Sequence, residues 1–181
     1  DITSRITQYH YASLLPSFLK SLASANPTKA MDWGFRLLKQ AARYRVARAR
    51  ARLVDDMSAI WRPAIEDHSQ NKDFYLASDI VTAVRDMCET VIRQGQVSLA
   101  DMVFQLERQR KLILYRIAIH LVRVFAEKDR KLVCKKMLTK KYFNDSSYWH
   151  EYAKLLSDCF SILSEKDQGN ILGWINKGPD R

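Results

Sequence analysis

The sequence predicts an all-α protein built as a HEAT-like solenoid of stacked antiparallel helix pairs, and three observations carry that prediction. Apolar residues recur at helical spacing along most of the chain, and no stretch alternates apolar and polar residues long enough for a sheet. Helix breakers are scarce: five Gly and four Pro in 181 residues. The periodic pieces run for roughly 10–20 residues and are joined by short polar turns, as between antiparallel neighbours. With 47% apolar and 28% charged residues, the chain is globular and not disordered. Its length suffices for one domain with an ample core.

The elements follow in order. A first helix covers about 5–22 and is broken by "SANPTK", where Pro27 and Thr28 make a new helix start. A second, long helix runs from about 29 to 60 and ends at "WRP", because Pro63 disfavours helix in the residue before it. "EDHSQNKD" is a loop. A third helix at about 76–94 stops at Gly95. Ser98 caps a short helix at about 99–108, which either continues into or precedes the apolar helix at about 110–127. "EKDRK" opens another short helix through Lys141. "YFNDSS" is a turn, with Asp145 or Ser146 capping a helix at about 148–163. Ser164 and Asp167 approximate a capping box for the last helix, which closes at Gly178-Pro179. The whole is read as one helical-repeat domain, residues 1–60 forming a long-helix hairpin and 61–181 the repeat-like helices. A start at Asp1 with no signal-peptide pattern is read as a piece of a longer chain.

Net charge is +10, carried by 1–60 and 111–181, while 61–110 is slightly acidic. That bias favours anionic partners without specifying one. The densest basic run is "RLLKQAARYRVARARARLVDDM" at 36–57. On a helix, Phe35, Leu38, Ala42, Val46, Ala49, Leu53, Met57 and Ile60 form one stripe. Arg36, Lys39, Arg43 and Arg50 border it on one flank; Arg45, Arg48 and Arg52 border it on the other. A nucleic-acid footprint gathers charge on one continuous face, and a membrane-surface helix carries large apolar residues where Ala42 and Ala49 stand. The run is read as a solvated helix of a larger stack, its arginine stems covering apolar surface.

Catalytic motifs are missing. No GxxxxGK[ST], GxGxxG or GxSxG occurs, and the four histidines do not stand at metal-ligand spacing with each other or with a cysteine. "HEYAK" lacks the second histidine of a zinc HExxH, and the Glu66-Asp67-His68 cluster is explained by capping and solvation. No cofactor, no metal and no enzyme activity are expected. Three widely spaced cysteines are read as reduced thiols of a cytoplasmic protein. The longest apolar run, "LILYRIAIHLVRVF", is too short for a span and is interrupted by Arg116, His120 and Arg123. Those three share one polar strip of the helix, read as an exposed or interface face. Together with Lys131 and Lys135 of the following basic segment, they are the candidate partner-binding residues. The four tryptophans, each read as lying near a helix end, are assigned to packing between helices. Phe35, Leu38, Val46, Leu53, Ile113, Ile117, Leu121 and Phe125 are the expected core.

Three phrases stand in an order that resembles a known family. They are "WRPAIEDHSQN" with "IVTAVRDMCETVI", then "LYRIAIHLVRVF", then "YFNDSSYWHEYAKLLSDCFSILSEKDQGNILGWINKGPD". Over 61–181 this is similar to the C-terminal helical-repeat region of large bacterial STAND-type NTPases, some of which act in antiviral defence. The resemblance implies a sensor or scaffold segment that binds a trigger protein, a phage protein among the candidates, or a neighbouring subunit. Nucleotide binding in such proteins sits in a separate domain, to which nothing here corresponds. Protein recognition is therefore the first expectation and a basic nucleic-acid-binding module the second; membrane association is not expected.

Overall fold

In the computed structural model, residues 7–44, 56–71 and 76–180 are described. They form ten α-helices linked by turns and short 3-10 segments, with no strand among them. The helices are α1 (Gln8–Ala25), α2 (Pro27–Tyr44), α3 (Ser58–Trp61), α4 (Leu76–Arg93), α5 (Leu99–Glu107), α6 (Leu112–Val124), α7 (Arg130–Met137), α8 (Lys140–Asn144), α9 (Trp149–Cys159) and α10 (Glu165–Lys177).

Local chemistry sets most of the boundaries. Asn26 alone separates α1 from α2; its side chain accepts the Lys29 N–H, and Pro27 takes the first helical position. Helix α1 thus runs three residues beyond the expected end, and α2 begins two residues early. Gly95, at φ +68°, ends α4 in the left-handed conformation that favours glycine. Ser98 accepts the Asp101 N–H, Asp129 accepts the Leu132 N–H and Ser164 accepts the Asp167 N–H, capping α5, α7 and α10. Ser164→Ala should lower stability by ~1 kcal/mol, read as a shifted urea midpoint with unchanged slope.

Several expectations are corrected. The second helix does not run unbroken to residue 60. At Asp56 and Met57 the backbone is non-helical, Met57 at φ +57°, and only the single turn α3 follows. The cause is a tertiary contact: buried Asp56 accepts the N–H groups of Ser58 and of Ile113, the latter in the first turn of α6. Ile60, placed on the buried stripe, is 70% exposed. Val46, Leu53 and the arginines at 45–52 lie outside the described residues. Arg110, at φ +54°, separates α5 from α6. The segment read as one helix through Lys141 is two, and the stretch read as a turn contributes Tyr142–Asn144 to α8. The helix expected at 148–163 ends at Cys159 and tightens into a 3-10 turn.

Phe35, Leu38, Ile113, Ile117, Leu121 and Phe125 are buried as expected. Helices α1, α2 and α4 pack against one another, α5 lies on α6, and α6 packs against α9. Gly34 lets α2 approach α4 closely: a Cβ there would meet Met87 Sδ at 3.2 Å. Contacts fix the helix directions. Tyr11 faces Asp79 and Gln94 bonds Ser24, so α1 and α4 run the same way. Glu89 bonds His120 while Arg93 covers the Phe125 ring, so α4 and α6 do too. Arg116 pairs with Glu151 and Arg123 with Asp158, which aligns α6 with α9. Helix α10 is held more lightly, by buried Ile171, by Trp174 against Phe143, and by Lys140 and Asn144 on Asp180.

Candidate partner-binding surfaces

Two members of the predicted strip on α6, Arg116 and His120, are buried, and the third, Arg123, is half-buried at its outer end. Arg116 is 1% exposed. Its Nε and Nη2 form a two-point ion pair with the Glu151 carboxylate at 2.8 and 2.9 Å, and its remaining donors reach the carbonyls of Arg62 and Pro63. His120 is buried against Glu89. Arg123 pairs with Glu66 and Asp158. For Arg116 and His120 the reading as an exposed or interface face is therefore corrected: both are buried inside the chain's own packing. Helical spacing aligned them correctly, but the strip faces α4, α9 and the chain after α3.

That chain, residues 62–67, explains the arrangement. It is irregular, so its carbonyls lack helical partners and must find donors. Buried arginines supply them. Arg116 holds the carbonyls of Arg62 and Pro63, while Arg62 and Arg85 both donate to the carbonyl of Ile65. Arg62 also reaches Ser78 Oγ and Thr82 Oγ1, and the Ile65 N–H donates to Glu151. Burial pulls the Arg62 guanidinium down to about 10, and the neighbouring charges of Arg85 and Arg116 add to that; it remains a cation at neutral pH. At the outer edge, burial favours a neutral Glu66, but the surrounding Arg123, Lys154 and His150 overcome it and hold the carboxyl below its ordinary range. Of the Glu66-Asp67-His68 cluster, both acids are thus tied into ion pairs, Asp67 to Arg85, while the His68 ring meets the His150 ring edge-on.

Lys131 and Lys135 remain on the surface, one turn apart on α7, with no carboxylate partner among the described residues. The adjacent Lys136 points inward, paired with Glu107, which also accepts the Tyr142 hydroxyl. Tyr142 packs in tilted contact with Tyr148 and Tyr152, and Lys141 lies over the rings of Tyr115 and Tyr148, 5.3 Å from each centroid. Burial raises the Tyr152 hydroxyl to about 12, consistent with its bond to the Met137 carbonyl.

Large apolar side chains are exposed singly at Ile60, Phe104 and Trp149 and as a pair at Leu172 and Ile175 on α10, and one aromatic patch is gathered from two helices. Leu14 and Phe18 stand one turn apart on α1, 59% and 53% exposed, and the Phe18 ring meets the Trp33 ring of α2 edge-on at 5.6 Å. Trp33, assigned from the sequence to packing near a helix end, is instead mid-helix and 42% exposed. Lys29 and the Asp32–Arg36 ion pair flank it on the same helix. The signal was available: at 100° per residue Leu14 and Phe18 fall off the stripe formed by Leu15, Leu19 and Leu22. Among the described residues, no group of three or more His, Cys, Asp or Glu side chains is placed to hold a metal ion, and no helix is long and apolar enough to cross a membrane. No protein-family model, curated protein or solved structure matches the chain.

Proposed function

We propose that this chain is a protein-recognition segment of the helical-repeat kind, acting as sensor or scaffold within a bacterial STAND-type defence NTPase. The observation that carries the recognition reading is the Leu14–Phe18–Trp33 patch. Two aromatic rings and a leucine gathered from two helices resemble the centre of an interface, where aromatic anchors dominate the energy. Contiguous exposed apolar surface rimmed by polar groups marks such sites. Lys29 beside Trp33, on a chain of net charge +10, favours a partner presenting apolar side chains flanked by carboxylates.

The repeat reading has separate support. Helices α4, α6 and α9 run the same way, with contacting residues 31 apart between α4 and α6 and 35 apart between α6 and α9. Helix α5 lies between the first two in sequence, and α7 and α8 between the second two. Near-regular advance of parallel helices is how stacked repeats offer an extended surface. The parent NTPase rests on the resemblance over 61–181, and the segment itself is assigned binding and no catalysis. A parent gene without a P-loop domain would remove the STAND assignment.

The recognition reading is tested with a photo-crosslinking phenylalanine analogue at position 33 of the full-length protein, in cells challenged with phage. One protein adduct should appear on challenge. Leu14→Ala with Phe18→Ala should reduce its yield at least tenfold, about 1.4 kcal/mol, while thermal unfolding of the chain stays within a few degrees of wild type. No adduct, or an adduct indifferent to the double substitution, rejects the reading.

A further inference from the structure

The turn between α5 and α6 collects cations that the recognition reading leaves unused. Arg108 and Arg110 are both exposed there and have no carboxylate partner among the described residues; the Arg108 guanidinium donates to the Gln105 amide oxygen. Lys39 of α2 reaches over to this turn and donates to Gln109. Arg43, one turn further along α2, is exposed and near enough to Lys111 for the two charges to be felt together. On the other side, Lys141 of α8 lies over Tyr115, which stands one turn beyond Lys111 on α6. Three separate parts of the chain thus converge on one rim. Among the described residues the acids at this rim are already engaged: Glu107 holds Lys136 and the Tyr142 hydroxyl, and Asp56 is buried with backbone donors. Arg43, Arg108, Arg110 and Lys141 are exposed, and Lys39 is half-buried at their edge.

We propose that Lys39, Arg43, Arg108, Arg110 and Lys141 form a surface that binds the phosphate backbone of nucleic acid without reading its sequence. A guanidinium presents a planar fork of donors matched to phosphate oxygens, and backbone contact requires only spaced cations on an exposed rim. Tyr115 is covered by Lys141, whereas the Phe104 ring, one turn before Arg108 on α5, is exposed beside the cations. Arg110 adds a further observation: it holds φ +54°, where glycine or asparagine would be easier, while extending a long cationic side chain from the turn. This surface is separate from the Leu14–Phe18–Trp33 patch and is independent of it.

The test is fluorescence anisotropy of the 181-residue chain with a labelled 20-base-pair duplex of mixed sequence. Binding should weaken on the order of a few hundredfold between 50 and 200 mM salt, as expected when about five phosphates are neutralised. Arg108→Glu with Arg110→Glu should weaken it at least tenfold and flatten the salt slope. Lys20→Glu with Lys166→Glu, the same change in net charge on α1 and α10, should do much less. Arg110→Gly, which relieves the backbone, should also weaken binding while leaving the melting temperature equal or higher, so that misfolding is not mistaken for loss of a site. No binding at 50 mM salt overturns the proposal, as does equal loss from both charge-reversal pairs. Tighter binding of poly-glutamate than of the duplex overturns it as well, because the surface would then belong to an acidic protein.

Discussion

Glu151→Ala should destabilise the protein by about 3–5 kcal/mol, the usual cost of stranding one member of a buried ion pair. The Arg116 guanidinium would stay 1% exposed with two of its bonds gone, and the Ile65 N–H would lose its acceptor. Urea unfolding of Glu151→Ala and Glu151→Gln separates charge from shape. The amide retains a hydrogen-bond acceptor in the same volume, so its loss should be smaller than that of alanine. Adding Arg116→Met to Glu151→Ala should recover part of the deficit, because the uncompensated charge is removed. Recovery should be incomplete, since the carbonyls of Arg62 and Pro63 then lack their donors. A loss below about 1 kcal/mol for alanine would show that water reaches the pair.

Acid should weaken the protein through Glu89. Burial raises that carboxyl, but hydrogen bonds from His120 and Arg93 outweigh it and hold the group down to about 2, against an ordinary value of 4.5. A carboxyl whose folded-state value lies below its unfolded one binds fewer protons when folded. Its contribution is therefore complete above about pH 4.5 and is lost as pH falls toward 2. Solvent screening at the exposed Arg93 reduces the effect, leaving on the order of 2 kcal/mol. Glu89→Gln should lower stability at pH 7 and flatten its dependence between pH 5 and about pH 2.5. Identical pH profiles for wild type and variant would remove Glu89 from the acid response.

The sequence by itself determined what is local. Helical period located the helices and six core residues that the structure buries, Phe35, Leu38, Ile113, Ile117, Leu121 and Phe125. Ser98 and Ser164 were legible as caps because a capping side chain bonds a backbone N–H three residues away. The period also put Arg116, His120 and Arg123 on one strip, but it cannot say what covers a strip. Only the tertiary structure decided that, because Glu151 lies 35 residues from Arg116 and Glu89 lies 31 from His120. The carbonyls that complete the Arg116 shell belong to an irregular segment with no pattern of its own. In the same way, the non-helical backbone at Asp56 goes with its bond to the Ile113 N–H, 57 residues away. The reverse error at Trp33 has the same origin: a tryptophan is apolar enough for a core, and its exposure followed only from the seating of α2 against α4. Local bonding rules write the elements, whereas the partner of each buried charge depends on which distant backbone and carboxylate groups packing brings to it.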